Sequence, residues 1–184
     1  MKKVIIIAAA FLGLGFTSNA QNASSTATQN VSLTLSNAIA ITFTGSGTNT
    51  GGAVTLPFST VADYANGVTS TAQQLKVQSN LAFDVAVKAN ATNFTYSGSY
   101  TTGTTMPVSG VLKLMVTANS TGGSVASPFS TSSYATLTDA DQDLITSGTY
   151  GSNQLFSVQY QATPGFAYPA GTYTTSVVYT ATQQ

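Results

Sequence analysis

Apolar and polar residues alternate with a period of two through most of this chain. The clearest stretch is Leu75 to Ala89. Leu75, Val77, Leu81, Phe83, Val85 and Val87 fall on one side, and Gln74, Gln78, Asn80, Asp84 and Lys88 on the other. Side chains along a strand point alternately to its two faces, so this pattern predicts one half-buried strand, or two strands meeting near Ser79-Asn80. Val31, Leu33 and Leu35 alternate with Ser32 and Thr34 in the same way. So do Phe156, Val158 and Tyr160, and then Tyr173, Val177 and Tyr179. Val111 to Ala118 is more continuously apolar and reads as a central strand.

Turn-forming residues separate these runs: Gly45-Ser46-Gly47, Gly51-Gly52, Asn66-Gly67, Gly122-Gly123, Pro164-Gly165 and Pro169-Ala170-Gly171. No sustained helical period interrupts them. Leu137 to Ile145 offers one helical turn at most, with Thr138 as its N-cap and Asp139, Asp141 and Asp143 in its first turn. Many short strands between turns predict an all-β fold, an immunoglobulin-like antiparallel β-sandwich.

The chain also repeats itself. Thr50-Gly51-Gly52-Ala53-Val54-Thr55-Leu56-Pro57-Phe58-Ser59-Thr60 returns as Thr121-Gly122-Gly123-Ser124-Val125-Ala126-Ser127-Pro128-Phe129-Ser130-Thr131. Phe94-Thr95-Tyr96 leading to Gly98-Ser99-Tyr100 returns as Phe166-Ala167-Tyr168 leading to Gly171-Thr172-Tyr173. The matched Pro, Phe and Tyr carry more weight than matched Ser, Thr or Gly in so biased a chain. A duplication gives either one sandwich with internal pseudo-symmetry over 21–184, or two small tandem repeats, about 26–105 and 106–184. The single sandwich is the stronger expectation, because so small a half, without disulfides, buries too little of its surface to fold well alone.

The N-terminus reads as an export signal. Lys2 and Lys3 precede the apolar stretch Val4 to Phe16, and Ser18-Asn19-Ala20 is a small-x-small cleavage site. Residues 1–20 are therefore the expected signal peptide, with Gln21 the first mature residue. The apolar stretch is short for a bilayer span of about 20 residues, so no membrane span is expected after cleavage. The expected location is secreted, extracellular or on the outer cell surface.

Beyond the signal the chain contains no His, Cys, Glu, Arg or Trp. Its charged residues are Lys76, Lys88 and Lys113 against Asp63, Asp84, Asp139, Asp141 and Asp143. That side-chain charge of −2 gives nucleic-acid phosphates too little to neutralise them. Acid–base catalysis uses His most often, and nucleophilic catalysis needs an activated Ser, Cys or Lys beside a base. With five Asp and three Lys as its only charged groups, the chain is expected to be no enzyme, with no catalytic residues and no cofactor.

Two groups of side chains remain candidates for binding. Asp139, Asp141 and Asp143 alternate as carboxylates do in calcium loops, and they are a weak Ca²⁺ candidate. Leu144 stands where such a loop needs Gly, and Tyr150 where it needs a bidentate acid, so a solvated acidic turn is the stronger expectation. Tyr96, Tyr100, Tyr134, Tyr150, Tyr168 and Tyr173 lie near turns or strand ends. Such rings either stack on sugars or pack at the edge of a core.

The run Phe166 to Tyr179, with Pro169-Ala170-Gly171-Thr172-Tyr173 feeding an alternating strand, resembles the last strand of bacterial pilin-like surface proteins. Spore coat protein U-like and WxL-type β-sandwich proteins are similar in this respect. The stretch from Phe58 through Asp63-Tyr64-Ala65-Asn66-Gly67 to Ser79-Asn80 resembles secreted β-sandwich proteins of the Bacteroidetes type. In chaperone–usher pilins a Gly stands fourteen residues from the end, as Gly171 does, but the penultimate residue is aromatic where this chain has Gln183. The pilin disulfide and the WxL tryptophan are missing. The resemblance implies a non-enzymatic structural subunit whose partners are other protein subunits or copies of itself, joined through β-strand edges. The alternative is an adhesin that binds surface glycans.

Overall fold

The structure, a computed structural model, describes residues 24–184. The export signal and Gln21 lie outside the described residues. The chain divides into two units after Leu35. The described part of the first, residues 24–35, has neither strand nor helix and is exposed throughout. The strand expected at Val31 to Leu35 does not form there: its alternation is real, but its apolar side faces no core. Val31, Leu33 and Leu35 are 78%, 78% and 84% exposed.

Ser36 to Gln184 is the second unit, an antiparallel β-sandwich. Its elements in chain order are β1 (Ile39–Phe43), α1 (Val61–Asn66), β2 (Val68–Thr69), β3 (Gln73–Ser79), β4 (Phe83–Ala89), β5 (Thr95–Ser97), β6 (Leu112–Asn119), β7 (Ser124–Val125), β8 (Ala135–Thr136), β9 (Gln142–Gly148), β10 (Gly151–Ala162), β11 (Thr172–Thr174) and β12 (Val177–Gln183). One sheet runs β1-β3-β10-β6-β8, with β2 also paired to β10. The other runs β12-β4-β9-β7. A two-stranded ribbon joins β11 to β5.

Alternation explains the layers. Leu75, Val77, Leu114, Val116, Phe156 and Val158 point inward from the first sheet, and Phe83, Val85, Val87, Leu144 and Ile145 from the second. Together they make one buried cluster. The apolar run at Val111 to Ala118 becomes β6, which lies inside its sheet between β10 and β8.

The pattern from Leu75 to Ala89 breaks into two strands at residues 80–82, and the two belong to different sheets. Ser79 holds this corner: its hydroxyl donates to Leu81 O at 2.7 Å and accepts from Leu81 N at 3.2 Å. Leu81, expected inside, is therefore on the corner and 37% exposed.

The helical turn expected over Leu137 to Ile145 is instead the β8–β9 connection and strand β9. Leu144 and Ile145 are both buried because a β-bulge against β4 turns both inward: Val85 pairs with Ile145 and Ala86 with Asp143, leaving Leu144 extra. The real helix is α1. Thr60 caps it, with its hydroxyl accepting from Asp63 N, while the Asp63 carboxylate accepts from the N–H groups of Ser59 and Thr60. Those bonds hold the Asp63 carboxyl below the ordinary Asp range.

Strands from both halves of the chain interleave: β1 and β3 share a sheet with β6, β8 and β10. The repeated motif does not give repeated elements. Ser124-Val125 forms β7, whereas Ala53-Val54 lies outside any strand. The later pieces of the two copies instead pair with each other, with Tyr96 opposite Tyr173.

Candidate functional site: the open flank between the sheets

A sandwich has two flanks where its sheets end, and here they differ. On one flank the outermost strands are β7 and β8, each two residues long. So short an edge gives an incoming chain little to pair with. On the other flank the outermost strands are β1 and β12, five and seven residues long. Neither contains a charged residue or a proline. Those are the residues that usually guard an exposed edge.

β1 and β12 face one another, and among the described residues no backbone hydrogen bond links them. Their inward side chains line the floor of the gap. The Phe43 and Tyr179 rings meet edge-to-face with centroids 6.0 Å apart, and Tyr179 reaches on to Phe156 at 6.3 Å. A cavity of about 160 Å³ opens there, bounded by Ile41, Phe43, Leu75, Val177, Val178 and Tyr179, with Thr42 and Asn49 at its polar margin. A second hollow of about 420 Å³ adjoins it at Phe43, along Thr44 to Ser46 and Gln73-Gln74.

Both ends of the gap are fixed. At one end the Gln183 amide nitrogen lies 2.9 Å from Ala38 O and 3.0 Å from both Ser79 Oγ and Asn80 Oδ1. Asn80 also binds the strand entering β1. Its Nδ2 donates to Ser36 O at 2.8 Å, its Oδ1 accepts from Ala38 N at 2.9 Å, and its backbone N donates to Ala38 O at 3.2 Å. At the other end the chain curls back so that Phe43 N donates to Thr48 O, and Gly51 lies against the Phe43 ring.

Beneath the gap the Tyr179 and Tyr160 hydroxyls share a 2.7 Å hydrogen bond. Burial pushes the Tyr160 hydroxyl up to about 12 and Tyr179 well above its ordinary value. The pair is therefore neutral, a plug of two phenols that satisfy each other.

The remaining candidates are dispersed. Tyr96, Tyr168 and Tyr173 gather near the β5–β11 ribbon, with Tyr96 and Tyr173 centroids 5.0 Å apart and Tyr168 6.4 Å from Tyr173. Tyr64, Phe58 and Phe166 add a second group, in which Phe166 stacks on Tyr64 at 5.1 Å. Burial, then the neighbouring Tyr96, Tyr168 and Tyr64, push the Tyr173 hydroxyl up. Tyr96 and Tyr173 donate to Ala170 O and Pro169 O, and Tyr100 N donates to the Tyr96 hydroxyl, so this ring cluster braces the Pro169-Ala170-Gly171 turn. Tyr134 bonds Gln159 elsewhere, and Tyr150 is exposed.

The three Asp of the acidic run take separate roles. Asp139 accepts from Thr92 Oγ1 at 2.6 Å, Asp141 pairs with Lys88 at 3.1 Å, and Asp143 lies exposed on β9. Among the described residues, no group of three or more acidic, His or Cys side chains is placed to hold a metal ion.

Asn80 and Gln183 are the residues that sequence reasoning missed. Asn80 read as one more polar-face residue, and Gln183 only as a departure from a pilin pattern. No local signal marks either, because their partners lie far off in the chain.

No protein-family model and no curated protein matches the chain. Among the described residues, no helix is long and apolar enough to cross a membrane.

Proposed function

We propose that this protein is a non-enzymatic, secreted or cell-surface structural subunit that joins its neighbours through β-strand edges. One observation carries this reading: two long, uncharged, proline-free edge strands face each other over an apolar cleft on a single flank. An exposed edge presents a row of N–H and C=O groups to any extended chain that comes alongside. The composition agrees with this reading, since beyond the signal the chain has no His, the side chain that acid–base catalysis uses most often, and no Cys, Glu or Arg.

The test is assembly of the purified, exported chain. Light scattering across a concentration series should show growth beyond the monomer, and electron microscopy should show polymers. Hydrogen exchange should slow in β1 and β12 as assembly proceeds. A monodisperse monomer at high concentration, with unchanged exchange in both strands, would refute the proposal.

One observation favours the glycan-binding alternative. Phe166 is 68% exposed and stacks on Tyr64, which gives a sugar ring an accessible aromatic face. Binding on a glycan array that disappears in Phe166→Ala would favour that reading.

A further inference from the structure

The charged side chains of the sandwich are sorted by face. Lys76 stands between Leu75 and Val77, and Lys113 between Leu112 and Leu114, and all four neighbours belong to the core. Both lysines therefore project from the outer face of the sheet β1-β3-β10-β6-β8. Lys76 lies opposite Thr42 and Leu155, and Lys113 opposite Gln161 and Thr136. None of these five strands contains an Asp. Among the described residues neither lysine has an ion-pair partner.

The other sheet carries the opposite sign. Phe83, Val85, Val87 and Ala89 of β4 belong to the core, which leaves Asp84 and Lys88 on its outer face. Asp143 is exposed on β9 in the pair Ala86–Asp143. Asp139 and Asp141 stand in the connection leading into β9, where Asp141 pairs with Lys88 at 3.1 Å. Four carboxylates and one ammonium give this face a charge of −3, against +2 on the lysine face. The fifth carboxylate, Asp63, is held in the α1 cap.

Gathering like charges on one face costs a lone copy some self-repulsion. A facing surface of opposite sign offsets it, and the same chain supplies one. We infer that the outer face of the lysine-bearing sheet docks on the outer face of the acidic sheet of a second copy. Lys76 and Lys113 then meet Asp84, Asp143 and the carboxylates beside them. Between the charges both faces are uncharged, with Leu155 and Met115 on one and Ala86 and Thr180 on the other. Charge complementarity of this kind sets partner, orientation and register more than strength, so the contact is reversible and weakens with salt. The two faces differ, so the contact is heterologous and stacks copies in one direction. It leaves β1 and β12 free and does not depend on edge joining.

The test compares the purified, exported wild type with two double variants, Lys76→Gln with Lys113→Gln and Asp141→Asn with Asp143→Asn. Light scattering across a concentration series, at about 0.01 M and about 1 M salt, measures association while the screening length falls from about 30 Å to about 3 Å. β1 and β12 carry no charge, so edge joining should keep its strength in salt. The wild type should associate about tenfold or more weakly at the higher salt. At low salt both double variants should associate about as weakly as the salted wild type. They move the side-chain charge beyond the signal in opposite directions, from −2 to −4 and to 0. General repulsion would therefore weaken the first and strengthen the second.

If only the lysine variant weakens, either general repulsion or an anionic partner on the lysine face accounts for the loss, and the inference falls. If the wild type associates equally at both salts, with slowed exchange in β1 and β12, edge joining stands and this inference falls. A wild type that is monomeric at both salts removes both. Thermal melting identifies a double variant that fails to fold, and Lys76→Gln or Asp143→Asn alone then takes its place with a smaller loss in the same direction.

Discussion

Phe83 and Gly148 give the sharpest test of the packing. Phe83 is fully buried at the start of β4 and sits opposite Gly148 of β9. A methyl group on Gly148 would lie 2.6, 2.8 and 3.0 Å from three carbons of the Phe83 ring, so the glycine leaves room for the ring. Phe83→Ala removes a whole side chain from the core. The transfer part is worth about 2–3 kcal/mol. If roughly half of the vacated ~100 Å³ stays empty, the cavity adds about 1 kcal/mol or more, for a total of about 3–5 kcal/mol. Gly148→Ala overpacks the same site at a cost of about 1–3 kcal/mol. The loss of unfolded-state freedom offsets about 0.4–1 kcal/mol of that. In the Phe83→Ala background the new methyl finds space, so the double variant should be less destabilised than the two singles added together, by about 1–3 kcal/mol. Urea unfolding of the four proteins, read by circular dichroism and with slopes compared, measures the cycle. Additivity within about 0.5 kcal/mol would refute the ring-on-glycine contact. A loss below about 1 kcal/mol for Phe83→Ala would refute its inward assignment.

Asp84, read from sequence as a plain solvent-face residue, accepts from Ser147 N and from the Gln184 side chain, both at 2.8 Å, and holds the β9 bulge where Ser147 takes a φ of 56°. Asp84→Asn keeps an acceptor and should cost under about 0.5 kcal/mol in chemical unfolding, while Asp84→Ala should cost about 1 kcal/mol. Above pH 10 the unfolded chain ionises its tyrosines, while Tyr160, raised to about 12, and Tyr179, held well above its ordinary value by burial, stay protonated in the fold. The unfolded state then binds fewer protons, so this contribution is complete below pH 10 and is lost as pH rises towards 12. Urea midpoints should fall over that window, and Tyr179→Phe should shrink the fall. Calcium and chelator should leave the melting temperature of the wild type and of Asp141→Ala alike, because Asp139 and Asp141 are engaged by Thr92 and Lys88. A calcium-dependent rise that vanishes in Asp141→Ala would reverse that reading. Thr60→Ala should cost about 1 kcal/mol through loss of the α1 cap, again by chemical unfolding.

Where burial follows a strict period of two, the fold was legible. Leu75, Val77, Phe83, Val85 and Val87 all face the core as their spacing predicts. The period fails where the backbone gains a residue or turns a corner. Leu144 and Ile145 are adjacent and both inward, a pair that reads as helical in isolation but belongs to a bulge. Leu81 keeps the alternation through a corner at which the chain changes sheets, and so ends up partly in solvent. The short helix was missed because its signal is a single Thr60-x-x-Asp63 capping box before only six residues. The candidate site was half legible. Unguarded edges follow from the scarcity of charge, but their place on one flank follows from sheet order, which no local pattern encodes.

The same reasoning separates residues 31–35 from every other alternating run in the chain. Alternation specifies a strand with one apolar face; it does not specify the surface that receives it. Leu75 to Val77 and Phe83 to Val87 find that surface within the sandwich, since their sheets pack face to face. Val31, Leu33 and Leu35 have the same pattern and remain exposed. Exposed apolar residues scattered singly need no explanation, but three on one face of one segment are a continuous stripe. An apolar cleft lies, separately, along the flank whose edge strands β1 and β12 are neither short, charged nor interrupted by proline. Each surface alone would be a liability for aggregation.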